Sequence, residues 1–495
     1  MRKAWTWLLL PAMIGACSMK PEYQRPESPV AATWSGEEAV PATASPNPGD
    51  VAANPTNPTK PANPGSPPAL SPEATQAAAN LEWQNYFTEA NLRQLIGLAL
   101  EHNRDLRIAV ARVEEARALY GIARADRLPN VDVAASQAGA HTPADLSSSG
   151  RQLTARRYDV NLAVTAFELD FWGRVASLNE AAQASYLATE QAQRAFRFSL
   201  IADVANAYFT LLEMTERAAL ARTTVETRQE TRRLVDKRRE VGVASDLDYL
   251  AVDGALQAAQ ADLAALERQR SAALNALSVL VGKPAGALPK TLGKLAEQGA
   301  QISVLTPGLP SEVLLRRPDV QAAEQKLIAA NANIGAARAA FLPRISLTAA
   351  LGTASHALGG LFEAGSGAWS FQPVLRLPLF DFGRTEANLD LAAARKIIAV
   401  AEYEKSIQQA FREVADLLAA REQLTAQLAA LQDNEKIQAE RYRLVNARYE
   451  AGISSYLEAL DAQRDLYSAQ QAVVQTRRVL LTAAAQLYKA LGSGE

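Results

Sequence analysis

Arg448-Tyr449-Glu450-Ala451-Gly452-Ile453-Ser454-Ser455-Tyr456-Leu457-Glu458-Ala459-Leu460-Asp461-Ala462 interrupts a long stretch of helical sequence. Gly452 breaks the run, because glycine takes a positive φ at a helix C-terminus at no steric cost. Ser454 or Ser455 then caps a second helix, whose first turns carry Glu458 and Asp461. The stretch reads as the sharp reversal of a helical hairpin. Arg239-Glu240-Val241-Gly242-Val243-Ala244-Ser245-Asp246-Leu247-Asp248-Tyr249-Leu250 repeats it, with the two glycines 210 residues apart (452 − 242). A tip that recurs half a chain later points to a duplicated unit.

The flanking sequence supports that reading in both halves. After Arg174 there is no helix breaker until Gly242. A helix of roughly 65 residues is about 100 Å long at 1.5 Å per residue, which no compact domain holds. Phe198, Ile201, Ala205, Tyr208 and Leu212 alternate three and four apart, the seam of a coiled coil. The second half carries the same face as Ile407, Phe411, Val414 and Leu418. Return helices are expected from about Ser245 to Val281, and from the Gly452 tip to Leu491.

Upstream of each long helix lie a shorter helix and two strand-like runs. Leu92, Leu95, Ala99, Leu106, Ala109, Val113 and Ala116 mark one helical face that ends near Leu128-Pro129. Val131-Asp132-Val133 and the alternating run Tyr158 to Ala166 follow as strands, joined by an exposed loop from His141 to Gly150. In the second half, Ile345 to Thr348 and Trp369 to Leu377 take those places. Each unit is therefore helix, strand, strand, long helix, tip, helix. The fold is mainly α with a small β part. Two units give four strands, which cannot close, and lipid does not tolerate open sheet edges. If the strands meet a membrane, protomers must combine into a shared barrel.

The N-terminus reads as an address. Arg2 and Lys3 precede a short apolar core from Trp5 to Ile14, shaped like a secretory signal. Small residues lead directly into Cys17, the only cysteine in the chain. Ile14-Gly15-Ala16-Cys17 resembles the lipobox of bacterial lipoproteins, in which that cysteine is diacylated. Residues 1–16 are thus expected to be removed, 17–80 to form a lipid-anchored Pro/Ala-rich tether, 81–300 the first repeat and 301–495 the second. Buried acyl chains contribute about 0.8 kcal/mol per CH₂, so two or three hold firmly.

Several function classes find no support. Lys+Arg 51 against Asp+Glu 53 gives a net charge of −2, so nucleic acid is not an expected partner. One cysteine excludes an internal disulfide, and three histidines far apart in sequence give no His/Cys metal-site spacing. No P-loop, no dinucleotide fingerprint and no supported nucleophile–base pair is present, so no catalytic, cofactor or metal residues are expected. The glycines of Leu358-Gly359-Gly360 and Ala364-Gly365-Ser366-Gly367 fall between two strands and read as a loop.

Taken in order, Pro21-x-Tyr23-x-Arg25-Pro26, Asn103-x-Asp105-Leu106, Leu315-Arg316-Arg317-Pro318-Asp319-Val320, Leu342-Pro343, Asp381-Phe382-Gly383-Arg384 and Leu460-Asp461-Ala462-Gln463-Arg464 resemble the TolC-like outer membrane efflux proteins, in their lipoprotein branch. The Pro/Asn-rich stretch at 41–72 is longer than members of that family usually carry. The resemblance implies a homotrimer in the outer membrane of a Gram-negative bacterium. Its 12 strands would form one barrel, continued through the periplasm by an α-helical coiled-coil barrel. The trimer would be the passive exit duct of a tripartite pump that carries substrates such as drugs. Its partners would be a periplasmic adaptor (membrane fusion protein), an inner-membrane transporter of the RND type and outer-membrane lipid.

The same resemblance places a periplasmic gate at Leu457, Glu458 and Asp461. It places links that hold the gate shut at Tyr449, Asp248 and Arg464. A basic residue expected two positions after the second tip glycine is Ser454 here. Gly242, Val243, Ser245, Gly452, Ile453 and Ser455 would meet the adaptor. The competing reading is a periplasmic adaptor, or a structural coiled-coil envelope lipoprotein without a pore. An adaptor of that kind carries one hairpin and a lipoyl-like domain, whereas this chain has two hairpins and amphipathic strand pairs.

Cys17→Ala is expected to abolish acylation, read by mass spectrometry of the N-terminal peptide. Lipid found on the variant would exclude Cys17 as the modified residue.

Overall fold

The computed structural model describes residues 19–30, 82–289, 292–298 and 311–492. Cys17, the signal and the Pro/Asn-rich stretch at 41–72 lie outside these residues. Among them, helices α1 (Ala90–His102) and α2 (Arg104–Ala125) lead into strands β1 (Val131–Thr142) and β2 (Leu153–Leu169). Helix α3 (Arg174–Glu240) and its return α4 (Asp246–Val281) complete the first half. The second half runs α5 (Pro318–Ala339), β3 (Arg344–Ser355), β4 (Gly367–Arg376), α6 (Arg384–Glu450) and α7 (Tyr456–Leu491).

The duplication is visible in the element lengths. Helices α3 and α6 both have 67 residues, and the returns α4 and α7 both have 36. Helices α2 and α5 match at 22 residues, and β1 and β3 at 12. Neither 67-residue helix contains a glycine or a proline, so nothing in the backbone interrupts them.

Both reversals are built alike. Gly242 and Gly452 have φ of 76° and 73°. The amide of Val243 donates to the Arg238 carbonyl at 2.8 Å, and that of Gly242 to Arg239 at 2.9 Å. Ile453 and Gly452 donate to Arg448 and Tyr449 at the same two distances. These pairs are Schellman motifs, which satisfy the last carbonyls of each long helix. Ser245 caps α4 in a reciprocal box with Asp248, and Ser455 caps α7 by accepting from the Glu458 amide. Of the two serines at the second tip, Ser455 is therefore the cap.

The chain divides into two compact units that cut across the repeats. One comprises residues 19–27 of the described N-terminus with Val110–Ala192 and Gln321–Lys405. It holds the sheet, whose strand order is β1-β2-β3-β4 with every neighbour antiparallel. The strands outrun the apolar alternation read from the sequence. β1 continues through Gln137, Gly139 and His141 to Thr142, because the ladder is made by backbone groups and needs no apolar side chain. A bulge breaks β2 between Val164 and Phe167, with Ala166 at φ 52°. The alternation expected through Ala166 therefore shifts there by one residue.

The same unit fastens the start of the expected tether. Arg25 donates from Nε and Nη2 to the two Glu324 carboxylate oxygens at 2.7 and 2.8 Å, and Tyr23 adds its hydroxyl at 3.1 Å. Asn331 donates to the Pro21 carbonyl at 2.8 Å. The Pro21 to Pro26 motif is thus a docked strap on α5. Ala181, Ala184, Ala329 and Ala332 pack as one small-residue cluster, which lets α3 and α5 approach closely.

The other unit comprises the described residues of Ser28–Ala109, Gln193–Val320 and Ser406–Glu495. Its core gathers Tyr86, Phe87, Leu92, Leu95, Ile96, Phe198, Ile201, Tyr208, Leu212, Leu481 and Tyr488. Two sequence motifs explain themselves here. Asn103 splits the long helical face into α1 and α2. Its carboxamide oxygen accepts from the Leu106 amide at 2.8 Å, and its Nδ2 donates to the Leu280 carbonyl at 2.8 Å. Arg317 is buried, forks onto Asp319 at 3.0 and 2.7 Å, and reaches Glu413 and the Ala490 carbonyl, both at 2.9 Å.

Gly282 ends α4 at φ 73°, and a Cβ there would lie 2.4 Å from the His102 carbonyl oxygen. Gly282→Val should destabilise this unit by about 2–5 kcal/mol, the sum of left-handed strain and overpacking. Thermal melting followed by circular dichroism reads it, and an unchanged melting temperature would contradict the clash.

Candidate functional site

Cross-strand register sorts the sheet into two chemically distinct faces. Residues directly opposite each other share a face. Val131, Val133 and Ala135 on β1 lie opposite Val164, Leu162 and Val160 on β2. Those three lie opposite Ala349, Leu351 and Thr353 on β3. Past the bulge, Phe167 and Leu169 regain the same side opposite Leu347 and Ile345. Leu351, Ala349, Leu347 and Ile345 then face Trp369, Phe371, Pro373 and Leu375 on β4. One face is therefore apolar from edge to edge. The other carries Asp132, Ser136, Asp159, Asn161, Ser346, Thr348, Ser370 and Gln372. The bulge keeps Phe167 and Leu169 on the apolar side, since one extra residue restores the phase of β2, while towards its far end that side turns polar at Gln137, His141 and Arg156.

The apolar face is bare. Val133, Leu162, Leu351, Phe371 and Leu375 are exposed, and Trp369 is 78% exposed. Beyond β4, Leu379, Phe380 and Phe382 are exposed as well, with the two phenyl rings 4.6 Å apart edge to face. Aromatic residues thus stand at both ends of the band. Trp369 and Phe380 lie eleven positions apart (380 − 369), near the start of β4 and just beyond its end. Both β1 and β4 have a partner on one side only, so each presents an open edge.

The strand–helix junction of this unit is held by charge. Glu168, at the end of β2, receives Arg174 through two 2.7 Å bonds and pairs with Arg344 at 2.6 Å. Trp172 donates its indole N–H to the Pro343 carbonyl at 2.8 Å. The Trp172-Gly173-Arg174 and Leu342-Pro343 motifs of the two repeats therefore meet at one joint.

The tips form the second cluster of sequence-predicted residues. Leu457 stands 61% exposed on the first turn of α7. Glu458 is engaged by Ser455, whose Oγ lies 3.2 Å from its carboxylate. Asp461 pairs with Arg464 at 3.5 Å on the surface of α7. Arg464 also lies 3.6 Å from Asp465. Such exposed pairs contribute about 0–1 kcal/mol and fix little. Val243 and Ile453 are exposed at the two turns, as are Leu247 and Leu250 on α4.

Within one chain, Tyr449 and Asp248 bond different groups. Asp248 is used up in its own turn, where hydrogen bonds from the Ser245 hydroxyl and amide hold its carboxyl below the usual carboxylate range. The Tyr449 hydroxyl instead accepts from Arg238 Nη1 at 3.3 Å, with that guanidinium 5.5 Å from the ring centroid. Tyr449 also meets Tyr456 edge to face at 5.6 Å. Arg238, in the last turn of α3, thus brings a cation to the second tip. Sequence reading missed Arg238, although the basic run Lys237-Arg238-Arg239 beside the tip was its signal. It also missed the companion cluster at the first tip. There Arg232 donates to the Tyr249 hydroxyl at 2.7 Å and Arg239 lies 4.1 Å over the same ring.

A bare amphipathic sheet with open edges and two long helical hairpins suit a membrane protein that works as an assembly of chains. The chain belongs to the outer membrane efflux protein family, whose profile matches residues 95–283 and 309–493. Its place is the outer membrane, and its role is the exit duct of an efflux system. Outer membrane protein OprJ of Pseudomonas aeruginosa is 42% identical over 489 residues, covering 98% of this chain and 95% of that protein. The probable efflux pump outer membrane protein TtgC of Pseudomonas putida is 42% identical over 483 residues, covering 97% and 93%. Among solved structures, a membrane protein from Pseudomonas aeruginosa superposes with a TM-score of 0.84 at 41% identity, covering 97% of this chain and 98% of that one. The open state of the Neisseria gonorrhoeae MtrE outer membrane channel gives 0.79 at 37% identity, covering 97% and 98%. The family is one of channels, not enzymes.

Neighbouring residues on β2 test the two faces. Leu162→Arg should cost about 2–4 kcal/mol at the middle of the lipid band and lower the amount of inserted protein. Asn161→Arg should insert normally and shift ion selectivity. Membrane fractionation and reversal potentials read both, and equal insertion would refute the assignment of faces.

Proposed function

We propose that three copies of this chain close into one barrel, each contributing its four-stranded sheet, and that the long hairpins continue the tube into the periplasm. The observation that carries this reading is the sheet: one face apolar, one polar, both edges open. In lipid an unpaired edge leaves backbone groups without partners at several kcal/mol each, so closure by further copies is the stable state. Four strands enclose no pore, whereas three such sheets give 12 strands, wide enough for an aqueous channel.

The tube's inner end would be the gate. Three symmetry copies of Asp461 near one axis repel, which disfavours full ionisation and draws in cations. Copies of Leu457 would form an apolar collar that blocks flow by dewetting, and Glu458 would stand beside the ring. Arg464 would bias Asp461 from the same helix, and Tyr449 would hold the second hairpin against the first. Asp248 would contribute by keeping the first turn rigid. The exposed tips, Gly242, Val243 and Ser245 with Gly452, Ile453 and Ser455, suit a periplasmic adaptor, which would couple the duct to an inner-membrane transporter of the RND type. Cys17 would be acylated and tie the strap to the outer membrane. Relatives named for antibiotic and toluene efflux support apolar small molecules as cargo.

Asp461→Ala is expected to raise the closed-state conductance of trimers in planar bilayers several-fold. Conductance equal to the parent would remove Asp461 from the gate.

A further inference from the structure

The buried cation Arg228 has no part in the reading above. It lies on α3, 12 residues before the end of that helix (240 − 228), and is 9% exposed. Its Nη1 donates to the Ala255 carbonyl on α4 at 2.6 Å, and its Nε donates to Gln463 Oε1 on α7 at 3.3 Å. Neither partner is a carboxylate. Asp262, the carboxylate that acts on it from farther away, is held by the Tyr467 hydroxyl. The contrast with the middle of α3 is plain: there Glu213, equally buried, pairs with both Arg217 and Arg478. Burial draws the Arg228 guanidinium below its ordinary value, and Tyr456 beside it is pushed up to about 12 by burial.

A buried guanidinium with neutral partners is poor value as a stabiliser. An apolar side chain of similar size often serves as well or better, so what the cation adds is geometry. Here the geometry concerns the rotation of α7. Tyr456, Gln463 and Tyr467 are spaced seven and four apart and share one face of that helix. Asp461 is two residues from Gln463, about 200° round the helix at 3.6 residues per turn. Ala459 and Ala462, the buried residues of the same turns, offer only methyl groups and leave rotation loosely specified. Whatever pins Gln463 therefore decides where Asp461 and Leu457 point.

We propose that Arg228 is a positioning residue for the gate: through Gln463 it latches the inner helix of the second hairpin to the first hairpin and turns Leu457 and Asp461 towards the channel axis. The inference rests on the gate reading above and adds the part that aims it. Arg238 on Tyr449 is a second, exposed hold ten residues nearer the tip (238 − 228). The latch is strong enough to set a direction. It is weak enough to release, since no ion pair has to be broken.

The test is conductance of the full-length trimer in planar bilayers together with drug efflux by cells, using two variants that push in opposite directions. Arg228→Met keeps the aliphatic bulk and removes the donors, and should raise closed-state conductance several-fold. Gln463→Glu supplies the missing carboxylate, tightens the latch, and should lower efflux several-fold with trimers intact. Arg228→Met conducting like the parent, or both variants opening the channel, would overturn the latch. If Arg228→Met forms no trimer, Gln463→Glu decides alone, and undiminished efflux refutes the latch. Asp461→Ala measured alongside keeps the readings apart. An open Asp461→Ala with a silent Arg228→Met removes the latch only. A silent Asp461→Ala with an open Arg228→Met supports the latch and moves the constriction elsewhere.

Discussion

Backbone groups without partners are the constraint from which this molecule is built. β1 and β4 each present one unpaired edge, on a sheet whose apolar face runs Val133, Leu162, Leu351, Trp369. In water such an edge is tolerable, while in hydrocarbon it is not. The same sheet has a polar second face, which hydrocarbon would penalise as heavily. A single copy satisfies neither condition in lipid. Closure with further copies satisfies both, since it pairs the edges and turns the polar face towards water.

The helical part follows a different rule. Helices of 67 residues cannot bury themselves in a globule, so each is doubled back on a 36-residue return and packed through small residues. Ala181, Ala184, Ala329 and Ala332 let helix axes approach closely but say little about rotation. Orientation is then assigned by a few polar contacts. Arg317 fixes the start of α5 against α6 and α7, Glu168 fixes the strand–helix joint, and Arg228 and Arg238 tie the second hairpin to the first. Weak polar contacts of this kind set a direction without locking the hairpins permanently.

Much of this is legible in the sequence wherever the signal is local. Gly242 and Gly452 announced both tips, the absence of breakers announced the long helices, and alternation announced the strands. What escaped depended on contacts between distant residues. The strands run past their apolar part because pairing is a backbone matter, and the bulge at Ala166 could not be seen in an alternation that looked unbroken. Pro21 to Pro26 read as tether by composition, yet Arg25 finds Glu324 some 299 positions away. At the tip, the basic run Lys237 to Arg239 does not say which ring it meets, and the fold brings Arg238 to Tyr449. Asp248 closes its own capping box with Ser245. Gln463, quoted only as part of a motif, turned out to be the contact of a buried arginine.

The central claim is that one chain supplies only a segment of the pore. Native mass spectrometry of the purified full-length protein, released from detergent micelles, measures the number of chains directly. Three chains per particle agrees with the account. A stable monomer that retains its β-structure would contradict it.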